Sequence, residues 1–405
     1  MKFNYIAKKI SGEERKGVME AKDKFELSRT LREDGYTLVS CKEVKERKKM
    51  AFLSKISFGG GASTADKMIF ARNLSVMMGA GVSAPRAMEV LSRQTESKTF
   101  KKAILDVGEN IQKGTSLSEA LARYPKIFSP LFVAMVKVGE ESGKLSDSLK
   151  IVSDQLDRDH TLLKKVKGAL IYPSIILVLM ISIGILMLIY VVPTLVSNFA
   201  EMNLQLPVST QVIIFMSNFI VGNLVLFLVT LAAIIFSGIY FVRSRIGQRI
   251  LDNVFIRLPI VSGLVKKFNS ARTSRTLASL ISSGVNIVET LSITSEVVQN
   301  HNYKIVLDKA KADIQKGTLM SASFKSATRL YPPLVGEMMA VGEETGKLGE
   351  MLNRLADFYE EEVSVATKDL STIIEPVLMV IIGVFVGFFA ISMIKPMYSM
   401  TEAIR

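Results

Sequence analysis

Two octapeptides in this chain are candidates for chemistry. Residues 138–145 read VGEESGKL and residues 341–348 read VGEETGKL. Each frames paired carboxylates with glycine and ends in Gly-Lys-Leu: Gly139, Glu140, Glu141, Gly143 and Lys144 in one, Gly342, Glu343, Glu344, Gly346 and Lys347 in the other. A glycine-rich loop ending in Gly-Lys suggests a phosphate grip, but that grip requires G-x-x-x-x-G-K-[ST] after a strand. Here the glycines are one residue too close, and leucine follows each lysine, so no hydroxyl is placed for Mg²⁺. The glutamates would also repel phosphate. The alternative is a helix–turn–helix joint, with Gly143 in a left-handed conformation that ends one helix and Leu145 anchoring the next. Glutamates on such a rigid turn are either simply solvated or offer a partner a salt bridge, or a hard cation a weak site.

Other chemistry is poorly supplied. The single cysteine, Cys41, excludes a disulfide framework within the chain and a multi-cysteine zinc site. The two histidines, His160 and His301, are too few for most histidine-based metal sites. The long apolar stretches contain no aspartate, which argues against an intramembrane aspartyl protease. The same lack of charge argues against an ion-coupled transporter. No catalytic, cofactor-binding or metal-ligating residues are therefore expected.

The elements that carry the two octapeptides follow from hydropathy and charge. From Gly168 to Val242 the one charged residue is Glu201. Residues 168–193 and about 220–242 are each long enough to cross a bilayer, as is a third run ending at residue 394. Tyr172-Pro173 stands at the start of the first span and Glu375-Pro376 at the start of the third. Glu375 can snorkel or pair with a basic residue on a neighbouring helix. Lys164, Lys165 and Lys167 precede the first span; Arg243, Arg245 and Arg249 follow the second; the connection between them has no Lys or Arg. The positive-inside rule then puts residues 1–167 and 243–372 in the cytoplasm and leaves the C-terminus outside. The first 50 residues are charged and lack an apolar core, so no signal peptide is expected. The net charge of +13 is concentrated at the front: residues 1–167 carry 32 Lys and Arg against 21 Asp and Glu. Beside apolar spans this reads as a cytoplasmic face near anionic lipid, and not as a nucleic-acid surface.

The octapeptide recurs because a whole module recurs, at an offset of 203 residues. Arg72 matches Arg275, Gly81-Val82 matches Gly284-Val285, IQKGT at 111–115 recurs at 314–318, and Pro173 matches Pro376. No gap is needed over the module. Two copies that both begin inside and end outside need one return helix, and the second span supplies it. Within each copy, apolar spacing and Gly/Pro punctuation predict six short helices in a bundle. The last begins near Leu145 and carries a packing stripe through Leu149, Val152 and Leu156. Residues 1–50 differ, with three short strands around a helix at DKFELSRTLRED. Residues 45–67 mix charge with Gly and Ser and read as a tether, with a basic cluster that could rest on anionic lipid.

Duplicated helical domains, each with a GEE[ST]GKL turn and a Tyr-Pro or Glu-Pro at the following span, resemble the type II secretion system F family, which extends to type IV pilus biogenesis. The resemblance covers about 68–192 and 271–394, and FNYIAKKISGEERKGVMEA is similar to the small leading domain of many members. It implies a platform of the bacterial inner membrane and not an enzyme. Its implied partners are a cytoplasmic assembly ATPase, pilin or pseudopilin subunits, other inner-membrane assembly proteins, the lipid bilayer, and further copies of itself. No nucleic acid is implied. The competing class is a transporter or channel with large cytoplasmic domains. The expected fold is an all-α membrane protein: two duplicated six-helix cytoplasmic bundles and three transmembrane helices, with a small α+β N-terminal module. The expected boundaries are 1–50 for that module, 51–67 linker, 68–167 first bundle, 168–193 first span and 194–219 extracytoplasmic loop. Then come 220–242 second span, 243–372 second bundle, 373–394 third span and 395–405 extracytoplasmic tail.

Overall fold

Alternation of apolar and polar residues at the N-terminus builds a small sheet. The strands are β1 (Lys2–Lys9), β2 (Glu14–Glu20) and β3 (Tyr36–Glu43), antiparallel in the order β2-β1-β3. Tyr5 and Ala7, two apart on β1, are buried. Helix α1 (Lys24–Glu33) adds Leu27 and Leu31, four apart and fully buried, to the same core. These residues form one compact unit, and residues 61–405 form a second. The computed structural model describes residues 2–9, 14–21, 24–43, 62–200 and 207–403. The basic cluster expected to lie on lipid, and the linker as far as Gly61, fall outside the described residues. The last residues expected in that linker already belong to a helix, because Ser63 and Asp66 form a reciprocal capping box.

The second unit is helical throughout. Its first six helices are α2 (Thr64–Gly79), α3 (Ala84–Gln94), α4 (Lys98–Gln112), α5 (Leu117–Ala122), α6 (Pro130–Glu141) and α7 (Leu145–Leu186). A π-helical turn at Met187–Val191 and α8 (Val192–Ala200) continue α7. Helices α9 (Val208–Gly222), α10 (Leu224–Arg243) and α11 (Arg245–Arg257) follow. The remaining six are α12 (Pro259–Ser282), α13 (Ile287–Val297), α14 (His301–Gln315), α15 (Met320–Ser326), α16 (Pro333–Thr345) and α17 (Leu348–Ala403). From α3 and α13 onward, each helix of the second set starts 203 residues after its counterpart in the first. The register is kept by glycines with positive φ at matching turns, among them Gly81 and Gly284, and Gly114 and Gly317.

Among the described residues three helical segments are long and apolar enough to cross a membrane, within Leu145–Ser197, Leu224–Arg243 and Leu348–Ile394. The first and third are continuations of the last helix of each set, so no joint separates bundle from span. The interval 194–219, read from sequence as a loop, holds most of α8 and most of α9. Helix α9 packs on the parts of the first and third spans far from the bundles: Ile213 clusters with Val192 and Met393. Thr210 Oγ1 donates to the Ser392 carbonyl at 2.6 Å, and Ser217 Oγ to the Leu188 carbonyl at 2.6 Å. Leu188 lies in the π-helical turn, whose carbonyls are offset from the regular ladder, and the serine uses one of them. Between the spans, Gly184 gives the Phe385 ring its place, since a Cβ there would lie 2.9 Å from Phe385 Cζ. Helix α17 runs on to Ala403, through most of the expected tail.

The two cores differ in one instructive way. Phe70, Phe100, Phe128 and Phe132 make an aromatic cluster in the first, with ring centroids 5.1 to 6.3 Å apart. The matching positions in the second are Thr273, Tyr303, Tyr331 and Val335. Two phenolic hydroxyls thereby enter an apolar core and each needs a partner. Tyr303 Oη donates to the Leu330 carbonyl at 2.8 Å, while Tyr331 Oη and Thr273 Oγ1 bond each other at 3.1 Å. Burial pushes the Tyr331 hydroxyl well above the usual phenol range. Small buried residues on α12, including Ser270, Ala271, Ser274 and Ala278, let it approach α17 closely.

Thr273 and Tyr331 should therefore behave as a pair. Tyr331→Phe alone strands the threonine hydroxyl and is expected to cost about 1–2 kcal/mol, whereas Tyr331→Phe with Thr273→Val is expected to recover most of it. Thermal unfolding of the detergent-solubilised protein measures this; strictly additive losses would show that the two hydroxyls do not depend on each other.

Candidate functional site

The two GEE[ST]GKL turns join α6 to α7 and α16 to α17. Gly143 and Gly346 have φ of 70° and 68°, a left-handed conformation that reverses the chain without a Cβ clash. The preceding glycine of each motif serves packing. A Cβ on Gly139 would lie 2.8 Å from Ser148 Cβ, and one on Gly342 would lie 2.8 Å from Leu348 Cα. Both glycines thus let the penultimate helix press against the first turn of the long one. Leu145 and Leu348 then begin the helices that continue into the membrane.

The first glutamate of each pair is turned inward. Glu140 accepts backbone N–H bonds from Leu117 at 2.6 Å and Ser118 at 2.9 Å, one on each carboxylate oxygen. Glu343 accepts from Met320 at 2.7 Å and Ser321 at 3.2 Å. In both copies a carboxylate from the end of one helix caps the start of the short helix just before it, α5 or α15. The unpaired N–H groups at a helix start and the positive end of its dipole favour this charge. The second glutamates, Glu141 and Glu344, are exposed, as are Lys144 and Lys347. Glu141 has Lys137 one turn back at 4.0 Å, a surface pair of little energetic consequence.

Sequence reasoning treated the two glutamates of each motif alike. The acceptor role of the first glutamate was not legible, because the 23-residue separation of Leu117 and Glu140 recurs at Met320 and Glu343 as it would for any pair in a gap-free repeat.

The outer faces of the two turns are not the same. In the first copy a shallow groove is lined by Ser116, Glu119, Val133, Lys137 and Glu141. In the second, Gly336 replaces Val133 and Lys325 lies across the place, with Lys325 Nζ paired to Glu337 at 2.8 Å. Among the described residues no cluster of His, Cys, Asp and Glu suited to a metal ion occurs. The other sequence-chosen residues lie at a distance along the same long helices. Tyr172 and Glu375 are exposed, Pro173 is buried and Pro376 is exposed. Each proline sits inside an unbroken helix, α7 or α17, and removes one backbone donor there.

A polar network that the sequence did not reveal joins the two copies. Arg275 on α12 bonds Glu360 at 2.7 Å and Asn353 at 3.0 Å, and pairs with Asp357, all on α17. Arg158 on α7 reaches the same Asp357 and Glu360 at 3.0 Å each. Two guanidinium groups and two carboxylates thus clamp the long helix of the first copy to that of the second. Beside them Arg272 faces Asp159 at 3.9 Å. Burial raises the Asp159 carboxyl above its ordinary pKa, with the Arg272 guanidinium opposing.

Comparison with known proteins adds to this geometry. The family described as "Type II secretion system (T2SS), protein F" matches twice, at residues 70–193 and 273–396. "Type II secretion system protein F, N-terminal domain" matches residues 1–42. A type IV pilus assembly protein PilC of Thermus thermophilus is 34% identical over 398 residues, covering 98% of this chain and 97% of the relative. A protein of the same name from Myxococcus xanthus is 32% identical over 405 residues, covering 100% and 96%. A type II secretion system protein F of Aeromonas hydrophila is 28% identical over 380 residues, covering 94% and 98%.

The caps separate the paired glutamates experimentally. Glu140→Ala and Glu343→Ala are each expected to cost about 2 kcal/mol through lost charge-assisted bonds to backbone N–H groups. Glu141→Ala and Glu344→Ala should change stability by about 0.5 kcal/mol or less. Equal losses at both positions of a motif, in thermal unfolding of the full chain, would contradict the capping role.

Proposed function

The chain belongs to the type II secretion system protein F family, and from that premise we propose that it is the inner-membrane platform of a type IV pilus or type II secretion assembly machine. Relatives named for both machines match it along nearly their whole length. The segments that cross the membrane carry no catalytic constellation, and the reading needs none.

The observation that carries a mechanical role is continuity. The helical run from Leu145 to Ala200 and the run from Leu348 to Ala403 each pass from bundle to span without a linker. At 1.5 Å per residue the 56-residue α17 is about 84 Å long. Its cytoplasmic part is held by buried Leu352, Leu355, Tyr359 and Val363 in the second core. A push on a bundle is therefore a push on a lever whose other arm lies in lipid. In this reading a cytoplasmic assembly ATPase acts on the bundles, and the spans displace pilin or pseudopilin subunits from the bilayer. The flanking charge supports a cytoplasmic N-terminus and cytoplasmic bundles. The small α+β N-terminal module and the two six-helix bundles are the parts available to the ATPase and to other inner-membrane assembly proteins.

The exposed Glu141 and Glu344, with Lys144 and Lys347, are the residues of the repeated turns free to meet a partner, since Glu140 and Glu343 are engaged as caps. A transporter reading receives less support. The hydroxyls of Thr210 and Ser217 beside the spans are bonded to backbone carbonyls, and residues 376–394 carry no charge.

Two experiments test this. A flexible Gly-Ser-Gly-Gly insertion between Thr372 and Ile373 is expected to leave membrane insertion and ATPase binding intact while abolishing pilus or pseudopilus assembly; normal assembly would remove the lever. Charge reversal of Glu141 and Glu344 together is expected to weaken binding of the assembly ATPase to the full-length protein in membranes. Unchanged binding and unchanged assembly would leave these turns with a structural role alone.

A further inference from the structure

The contact between the two copies is one-sided. The first copy offers α6 and α7. Gln155 Oε1 accepts from Ser279 Oγ at 3.0 Å, Arg158 pairs with Asp357 and Glu360, and Leu131 shares a buried cluster with Leu280, Val285 and Ile293. The second copy offers α12, α13 and α17. If the contact had a local two-fold axis, each pair would recur with the copies exchanged. The 203-residue shift turns Gln155 and Ser279 into Phe358 and Val76, and Leu131 into Leu334. Within the chain these do not meet: Val76 is 68% exposed and Phe358 46% exposed. Leu334 is 41% exposed where Leu131 is 5% exposed. The contact is therefore head-to-tail, and a head-to-tail contact leaves one unused face of each kind.

Both unused faces are apolar where the internal contact is polar. On the first copy, Ile69 stands at the position of Arg272 and Val76 at that of Ser279, both on α2 and both exposed. Met77, Val82 and Val90 are half-buried where Leu280, Val285 and Ile293 are covered. On the second copy, Leu334 and Val341 of α16 and Phe358 and Val365 of α17 are exposed. Charge exchanges only in part. Glu361 replaces Arg158 on the incoming helix; on the receiving face Lys150 replaces Asn353 beside Arg72, while Asp154 and Asp157 stand where Asp357 and Glu360 do, so the ion pairs of the internal contact are not repeated and the apolar exchange carries the match. Gln155 and Phe358 both lie 18 residues before the proline of their span, so a contact through Phe358 sits at the same level beneath the membrane.

We propose that a second copy of this chain docks its α16–α17 face onto the α2–α3 face of the first, repeating between chains the contact that joins the two copies within one. Such a contact closes into a ring if its rotation permits and otherwise extends as an array. It rests on the repeat geometry alone and holds whether or not the chain works with an ATPase.

The test uses full-length protein in nanodiscs with Cys41→Ser as background. One tagged chain carries Val76→Cys and a differently tagged chain carries Phe358→Cys. A short bis-maleimide is expected to join the two chains in the mixture and to leave either variant alone as monomer. A double variant, Gln155→Cys with Ser279→Cys, should close within one chain and reports the native internal contact. No cross-link in the mixture while that control closes would overturn the proposal, as would dimers formed by one single variant alone. Independently of cysteine chemistry, Val76→Asp with Phe358→Asp is expected to convert an oligomer to monomer in light scattering, with an unchanged melting temperature. An undiminished oligomer would also overturn it, and a face reserved for a different protein predicts that result.

Discussion

One helix in each copy must satisfy two solvents at once, and the rest of the structure depends on that. In lipid, every backbone N–H and C=O has to be paired inside the segment, so the span must be helical and cannot fray at the surface. In water, the same helix supplies one wall of a core: Leu149 and Val152 in α7, Leu352 and Leu355 in α17, all buried. The lipid requirement makes the helix stiff, and the core requirement fastens five shorter helices to the end outside the lipid. Whatever moves those five helices moves the span. The proposed transmission of force needs this coupling, and it arises here without any specialised joint.

The repeated turn is how the short helices are fastened. Its glycine at 139 or 342 brings the penultimate helix against the long one, and its left-handed glycine reverses the chain. Its first glutamate reaches back to cap α5 or α15, helices of six and seven residues. Helices that short are not stable by propensity alone. A carboxylate delivered to their exposed N–H groups binds them to the turn, and so to the long helix. The motif is thus a structural knot in each copy, with the second glutamate left on the surface.

The copies have diverged where their surroundings differ. The four phenylalanines of the first core correspond to a threonine, two tyrosines and a valine in the second, and the hydroxyls there have partners. The polar pair Gln155 and Ser279 at the covered face corresponds to the apolar Phe358 and Val76 at the open faces. An arginine clamp with two carboxylates occupies the internal contact, where removal of one partner would strand a buried charge. These differences are explained by what each position touches.

The sequence by itself determined the spans, the 203-residue duplication, and the helix ends. Those features rest on short-range rules: charge-free runs, exact recurrence, and Gly, Pro and Ser at helix termini such as Gly81, Ser83 and Pro130. Only the tertiary structure decided what Glu140 and Glu343 do, because the N–H groups they cap lie 22 and 23 residues away and no local pattern couples them. It also decided that Arg275, matched in sequence by Arg72, is buried in an ion network while Arg72 is exposed. A repeat makes two positions equivalent along the chain. Burial is a property of neighbours in space, and the head-to-tail packing of the copies gave those two arginines different neighbours.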